Sequence, residues 1–266
     1  MQQLITNTKL FWQGAVLSYR ALFAWLRPTT FIASMIIFPL GQIMFFTLLG
    51  IYATGHANAS FFLIGNAMQI TASSGIFGVT MAIGGERWAG TLMYLFGAPA
   101  NRLAIFTGRA TVHILNGFVE VLLGLAWGWI LGWVDFSRTD PFALALTILI
   151  ATFSTAALGL LLGCIGLVTV NVMFINNLVY FLLLLFSGAN VPIANLPLWM
   201  QYISWSLPLT RGIEAARAVI GGAPLANVSA LLVGEFLIGV AYLVVGYVFF
   251  RVLEVEAKRR GTLETF

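Results

Sequence analysis

The sequence predicts an all-α integral membrane protein of six transmembrane helices preceded by an interfacial helix, on three observations. Charged residues make up 8% of its 266 residues, against about 25% in soluble domains, and its mean hydropathy is +0.97. Its apolar runs are long and continuous, where a membrane β-barrel would alternate over about ten residues. Its basic residues gather at the ends of those runs. A bilayer's hydrocarbon needs about 20 apolar residues per helix, so the runs fill around six spans and leave little for a soluble domain.

Residues 1–28 interleave Trp12, Phe23 and Trp25 with Lys9, Arg20 and Arg27 before Pro28. That mixture predicts an amphipathic elbow helix lying in the headgroup layer, where tryptophan and the basic side chains both find their preferred surroundings. The membrane domain then occupies 29–266. A first span runs from Thr29 to Tyr52, with a bend expected at Pro39-Leu-Gly41 where a backbone hydrogen bond is lost. A polar turn, Ala53 to Ser60, leads into a second span, Phe61 to Ile83. This span carries Asn66 and Gln69 beside several hydroxyls, which face protein or a path rather than lipid.

Gly84 to Arg102 is a charged island with no spanning run of its own. Glu86 and Arg87 open it, Gly90-Thr91 follow, and Pro99 with Asn101-Arg102 closes it. Acidic charge suits a helix N-terminus and proline stops a helix, so a short amphipathic helix across a membrane face is predicted.

The third span runs from about Ala110 to Trp133. His113, Asn116 and Glu120 recur at helical spacing and share a face. A carboxylate at mid-bilayer costs about 2.5–3.5 kcal/mol on insertion scales, so Glu120 is expected to face the bundle. The stripe is either a path or proton-coupling element, or a satisfied interhelical network. After Asp135, Arg138 and Asp140, residues 141–188 hold no charge. They divide into two spans near Gly166 to Asn171. A sixth span, Val228 to Phe250, contains Glu235 about 10 Å from its outer end, within reach of the outer interface.

Between the fifth and sixth spans, residues 191–222 carry Pro192, Pro197 and Pro208 with Trp199, Tyr202 and Trp205. Prolines forbid one straight helix and the aromatics mark an interface, so a pair of short helices dipping into the outer leaflet is predicted. Arg211, Glu214 and Arg217 fall three apart, within reach of one another for ion pairing.

With an even number of spans both termini lie on one side, together with ten of the thirteen Lys and Arg; Arg138, Arg211 and Arg217 are left outside. The positive-inside rule makes that side cytoplasmic. The basic residues are scattered at span ends, which argues against nucleic acid as a partner. One cysteine, Cys164, excludes an internal disulfide and a cysteine-pair metal site, and no metal site is expected. No cleavable signal is evident. HExxH, paired intramembrane aspartates and a Ser-His constellation are missing, so an enzyme is disfavoured.

Two motifs carry a family resemblance. Glu86-Arg-x-x-Gly90-Thr91, then apolar residues, then Ala-Pro99-x-x-Arg102 resembles the cytoplasmic coupling segment of type-2 ATP-binding-cassette exporter permeases. The Ser-Gly-x-x-x-Pro192 segment, the Leu-Pro-x-Trp199 segment and Pro208-x-x-x-x-x-Glu214-x-x-Arg217 resemble their external helical region, in the same order. The resemblance implies a coupling helix at 84–102, contacting an ATPase through Glu86, Arg87 and Arg102, with Gly90 permitting close approach. It also implies an external gate around Pro192, Trp199, Tyr202, Pro208, Glu214 and Arg217. A P-loop needs Gly-Lys followed by Ser or Thr, and neither Lys9 nor Lys258 follows glycine. The chain is therefore expected to carry no cofactor; two copies of a separate ATPase subunit would hold ATP and Mg. A second permease, identical or different, would complete the dimer in the lipid of a bacterial or archaeal cytoplasmic membrane. Asn66, Gln69, His113, Asn116, Glu120 and Glu235 are the candidates for the translocation path or its supporting network. Short loops and an apolar interior suit export of an amphiphilic, drug-like molecule. The alternatives are a lipid-linked polysaccharide exporter and a proton-coupled carrier without an ATPase.

Overall fold

The computed structural model describes residues 2–24, 33–88, 90–91, 94, 101–167 and 171–260, and among these every regular element is helical. Helix α1 (Gln2–Ala24) lies against the start of α5 (Arg102–Ile130). A π-helical turn, Ala33–Ile37, leads into α2 (Phe38–Thr54). Pro39 follows that π-helical turn without a break, and its missing N–H leaves a carbonyl of the preceding turn without its main-chain donor. The irregular geometry expected in mid-span therefore falls just before this helix.

The chain then runs through α3 (Ala59–Ala72), a π-helical segment Ser73–Gly78, and α4 (Val79–Trp88). Eleven of the residues of α3 are buried, on all its faces. A helix enclosed by protein can carry Asn66, Gln69 and Thr71 where a lipid-facing helix could not. It packs against α2, α5, α6 (Pro141–Gly166) and α9 (Thr210–Ile220). Leu63, Met68, Ile76, Ile148, Leu183 and Ile213 form the centre of that core. Close approach there needs small residues: a Cβ added at Gly159 of α6 would collide with the carbonyl of Gly75 in the π-helical segment.

Asp140 caps α6, its carboxylate accepting the N–H groups of Phe142 (2.9 Å) and Ala143 (3.2 Å), and Pro141 occupies the first turn. Helix α7 (Val172–Phe186) begins after Asn171, so the uncharged stretch breaks where glycine and asparagine predict. Two short helices follow, α8 (Leu198–Ser206) and α9, and then α10 (Leu225–Arg260), which lies along α6. Helix α10 extends ten residues past the predicted end of the last span at Phe250.

Among the described residues, four helical stretches are long and apolar enough to cross a membrane: His56–Gly85, Ala104–Ile130, Pro141–Gly166 and Leu225–Leu253. Helices α2 and α7 are apolar but shorter. The fifteen residues of α7 extend about 22 Å, less than the ~30 Å hydrocarbon thickness.

Candidate functional site

The charged island hangs from two braced helices. Helix α4 continues to Trp88, past the predicted end of the second span at Ile83, and Gly90 turns the chain with φ +67°. Helix α5 starts at Arg102, eight residues before the predicted third span, because the Asn101 side chain accepts the Ala104 N–H (3.3 Å). Arg109 Nη1 donates to the carbonyl of Ala82 (2.6 Å), tying α5 to α4. Gly84 lies against Gly166 at the end of α6. In the sequence Asn101 stands only at the close of the island and Arg109 only as a cation at its exit; neither the cap nor the brace is visible there. Thr91 lies in the turn and is exposed. Pro99 and the side chains of Glu86, Arg87 and Arg102 lie outside the described residues.

At mid-bundle the predicted stripe does come together. Asn116 Nδ2 donates to Glu120 Oε1 (3.0 Å) and to Ser74 Oγ (3.3 Å), and Ser74 Oγ donates to the carbonyl of His113 (3.0 Å). The His113 ring lies over Gly78, which leaves room for it by having no side chain. His113 and Glu120 are both buried. The partner that the sequence did not identify is the π-helical segment Ser73–Gly78, whose wider turn presents Ser74 to α5.

Asn66 and Gln69 face the segment that follows α7. Asn66 Nδ2 donates to Asn190 Oδ1 (2.8 Å), and Ser187 Oγ donates to Gln69 Oε1 (3.2 Å). Both are fully buried. Gln42 Nε2 donates to Tyr180 Oη (2.6 Å), linking α2 to α7. Asn176, one turn before Tyr180, is fully buried with neither side-chain polar atom hydrogen-bonded.

The segment 191–222 is held by two charged side chains. Glu235 of α10 points inward rather than to the outer interface and is fully buried. Its carboxylate accepts the Ser154 hydroxyl and the N–H groups of Leu209 and Gly212, at the start of α9. Leu209 has φ +78°, an unusual conformation for a branched side chain, and Pro208 beside it is buried. Arg217 donates from Nε and Nη2 to Phe61 O, from Nη1 to Gly188 O (2.9 Å) and from Nη2 to Ala189 O (3.0 Å), with its guanidinium 3.5 Å over the Phe61 ring. Arg211 Nη1 bonds the carbonyl of Trp205 (2.7 Å). The hydrogen bonds of both cations thus go to main-chain carbonyls of other segments, while Glu214, between them, is half-buried. Pro192 starts a 3₁₀ turn, Ile193–Asn195; Trp199 and Tyr202 of α8 are exposed. Among the described residues no group of His, Cys, Asp and Glu has the makings of a metal site.

Long apolar helices around a buried polar centre, with most charged groups near their ends, define a multi-pass membrane protein. The model of the ABC-2 type transporter family matches residues 13–220, and the chain belongs to that family. It is similar to the probable multidrug ABC transporter permease YbhR of Escherichia coli K12, with 27% identity over 165 residues, and to the same protein of E. coli O157:H7 at the same identity. The match spans 59% of this chain and 43% of each relative, so the chain covers less than half the length of these relatives.

Proposed function

We propose that the chain is the transmembrane permease subunit of an ATP-driven exporter and moves an amphiphilic, drug-like molecule outward across a bacterial or archaeal cytoplasmic membrane. Six spans, with α2 and α7 as the first and fifth, put both termini and the island 84–102 on the cytoplasmic side. Helices α8 and α9 form the external pair over the mouth of a permease dimer. Two ATPase subunits, holding ATP and Mg, dock on the islands. The brace of Arg109 on Ala82 suits a lever, because force applied at the island reaches both stems together.

The observation that carries the substrate class is a cavity of about 520 Å³ between α2, α3 and α7. Phe46, Leu49, Phe62, Phe181 and Leu185 line it, and Asn190 stands at its polar edge. A mostly apolar wall with two polar side chains, Thr54 and Asn190, matches a hydrophobic body bearing a polar substituent. The 27% identical relatives with a multidrug permease name favour the same class.

The test is a mild-detergent pull-down of the tagged chain from its native membrane, with copurifying chains identified by mass spectrometry. A stoichiometric P-loop subunit is expected, and its loss on joint Glu86→Arg and Arg87→Glu substitution with the permease still folded. Repeated recovery without any ATPase would sink the proposal and favour a proton-driven carrier.

A further inference from the structure

At the end of the bundle away from the island, a second cavity of about 700 Å³ opens between the start of α3, the end of α5 and the end of α9. Phe61, Trp129 and Trp133 form its walls, and two side chains of opposite charge, Arg217 and Asp135, both line it. The hydrogen bonds of Arg217 go to neutral carbonyls, which fix its guanidinium, while the Glu214 carboxylate one turn away on α9 offsets part of its charge. Asp135 is exposed; its two oxygens accept the Ser137 N–H (2.9 Å) and hydroxyl (2.8 Å). Those bonds, with Arg138 assisting, hold its carboxyl below the usual carboxylate range, so it is ionised at neutral pH.

Depth in the membrane narrows the ligand. The cavity lies where α3 begins, α5 ends and the loop to α6 turns back, which is headgroup depth, and tryptophan favours that depth. Trp129, Ile130 and Leu131 present exposed apolar surface beside it, against which hydrocarbon chains can lie. A simple anion would meet Arg217 but be repelled by Asp135, and a simple cation the reverse. A ligand carrying both charges satisfies both: a guanidinium matches the oxygens of a phosphodiester, and an ammonium is met by a carboxylate and aromatic faces.

We propose that this cavity holds the headgroup of a zwitterionic phospholipid, its phosphate on Arg217 and its ammonium on Asp135. The site is separate from the cavity between α2, α3 and α7, and it requires the membrane setting but not the identity of the exported molecule.

The experiment is lipid competition on the full chain, purified in mild detergent with the subunits it retains. Phosphatidylethanolamine and phosphatidylglycerol of matched chains are added in equal amounts, and retained lipid is counted by native mass spectrometry. Exposed charge pairs are weak, so an enrichment of about three-fold for phosphatidylethanolamine is expected. Asp135→Asn, at an exposed position, should leave the fold intact and bring the ratio to about one by relieving the repulsion of the anionic lipid. Equal retention by the unmodified protein, or an unchanged ratio in Asp135→Asn, would overturn the proposal. Full displacement of the lipid by soluble phosphoethanolamine would overturn it as well, since the site would then recognise a free metabolite-sized zwitterion and not a lipid.

Discussion

Glu235, in the first third of α10, accepts the backbone N–H of Leu209, the residue that precedes α9 and has φ +78°. A carboxylate at a helix N-terminus satisfies donors with no intrahelical partner and meets the positive end of the helix dipole. It also fixes a backbone conformation that costs about 1–3 kcal/mol and persists only where its surroundings enforce it.

Glu235→Ala is expected to leave buried donors at Leu209 and Gly212 unpaired, at about 1–3 kcal/mol for each. Thermal unfolding in detergent should show a large drop in melting temperature, and Glu235→Gln, which keeps an acceptor, a smaller one. Retained export by Glu235→Gln in vesicles would assign the residue to structure; export lost while stability holds would assign it to proton movement.

Arg217 joins α9 to the start of α3 and to the segment after α7, through carbonyls that one ammonium cannot reach together. Arg217→Lys should therefore destabilise nearly as much as Arg217→Ala, despite keeping the charge. Each charged hydrogen bond lost is worth about 1.5–3 kcal/mol. Equal stability of Arg217→Lys and the unmodified protein in a thermal shift assay would show that charge, and not the fork, is what matters there.

A Cβ at Gly65 would collide with the carbonyl of Ala189 and with the Arg217 side chain, whereas one at Gly41 in α2 meets nothing within 4 Å. Gly65→Ala should accordingly cost about 1–3 kcal/mol through overpacking and backbone displacement, and Gly41→Ala should be neutral or slightly stabilising. Monodispersity on size exclusion, measured for both after mild heating, separates the two cases.

Glu120 is bonded by Asn116, which also reaches Ser74, so an amide at position 120 can accept the same hydrogen bond. Glu120→Gln is expected to retain the fold and, on the proposed function, export, and Asn116→Leu to lower the melting temperature by stranding its partners. Collapse of export in Glu120→Gln alone, with unchanged stability, would make this carboxyl a proton carrier.

The helical membrane class, the break near residue 167 and the paired short helices before the last long one were all legible, because each follows from local chemistry. Continuous apolar runs dictate helices in a bilayer, and proline and glycine interrupt them. The stripe His113, Asn116 and Glu120 was visible as periodicity. Its partner was not, since a π-helical segment at Ser73–Gly78 leaves no mark in an apolar sequence. Helix α5 begins eight residues before the predicted third span because the Asn101 side chain caps it, and hydropathy, which marks only the apolar part of a helix, carries no sign of that cap. Arg217 interacts with Glu214 as the spacing predicts, but its hydrogen-bond partners, carbonyls more than a hundred residues away at Phe61 and nearer at Gly188 and Ala189, leave no mark in that spacing.

By itself the sequence determined that this chain is a bundle of apolar helices with a charged island between two of them, since burial in hydrocarbon admits little else for such a composition. Only the tertiary structure decided what its few buried charges do. Glu235 is turned inward onto the start of α9 and Arg217 onto the start of α3, because a charge removed from water takes whichever dipoles the fold brings within reach. Which dipoles those are depends on how the helices pack, and the order of residues along the chain does not record it.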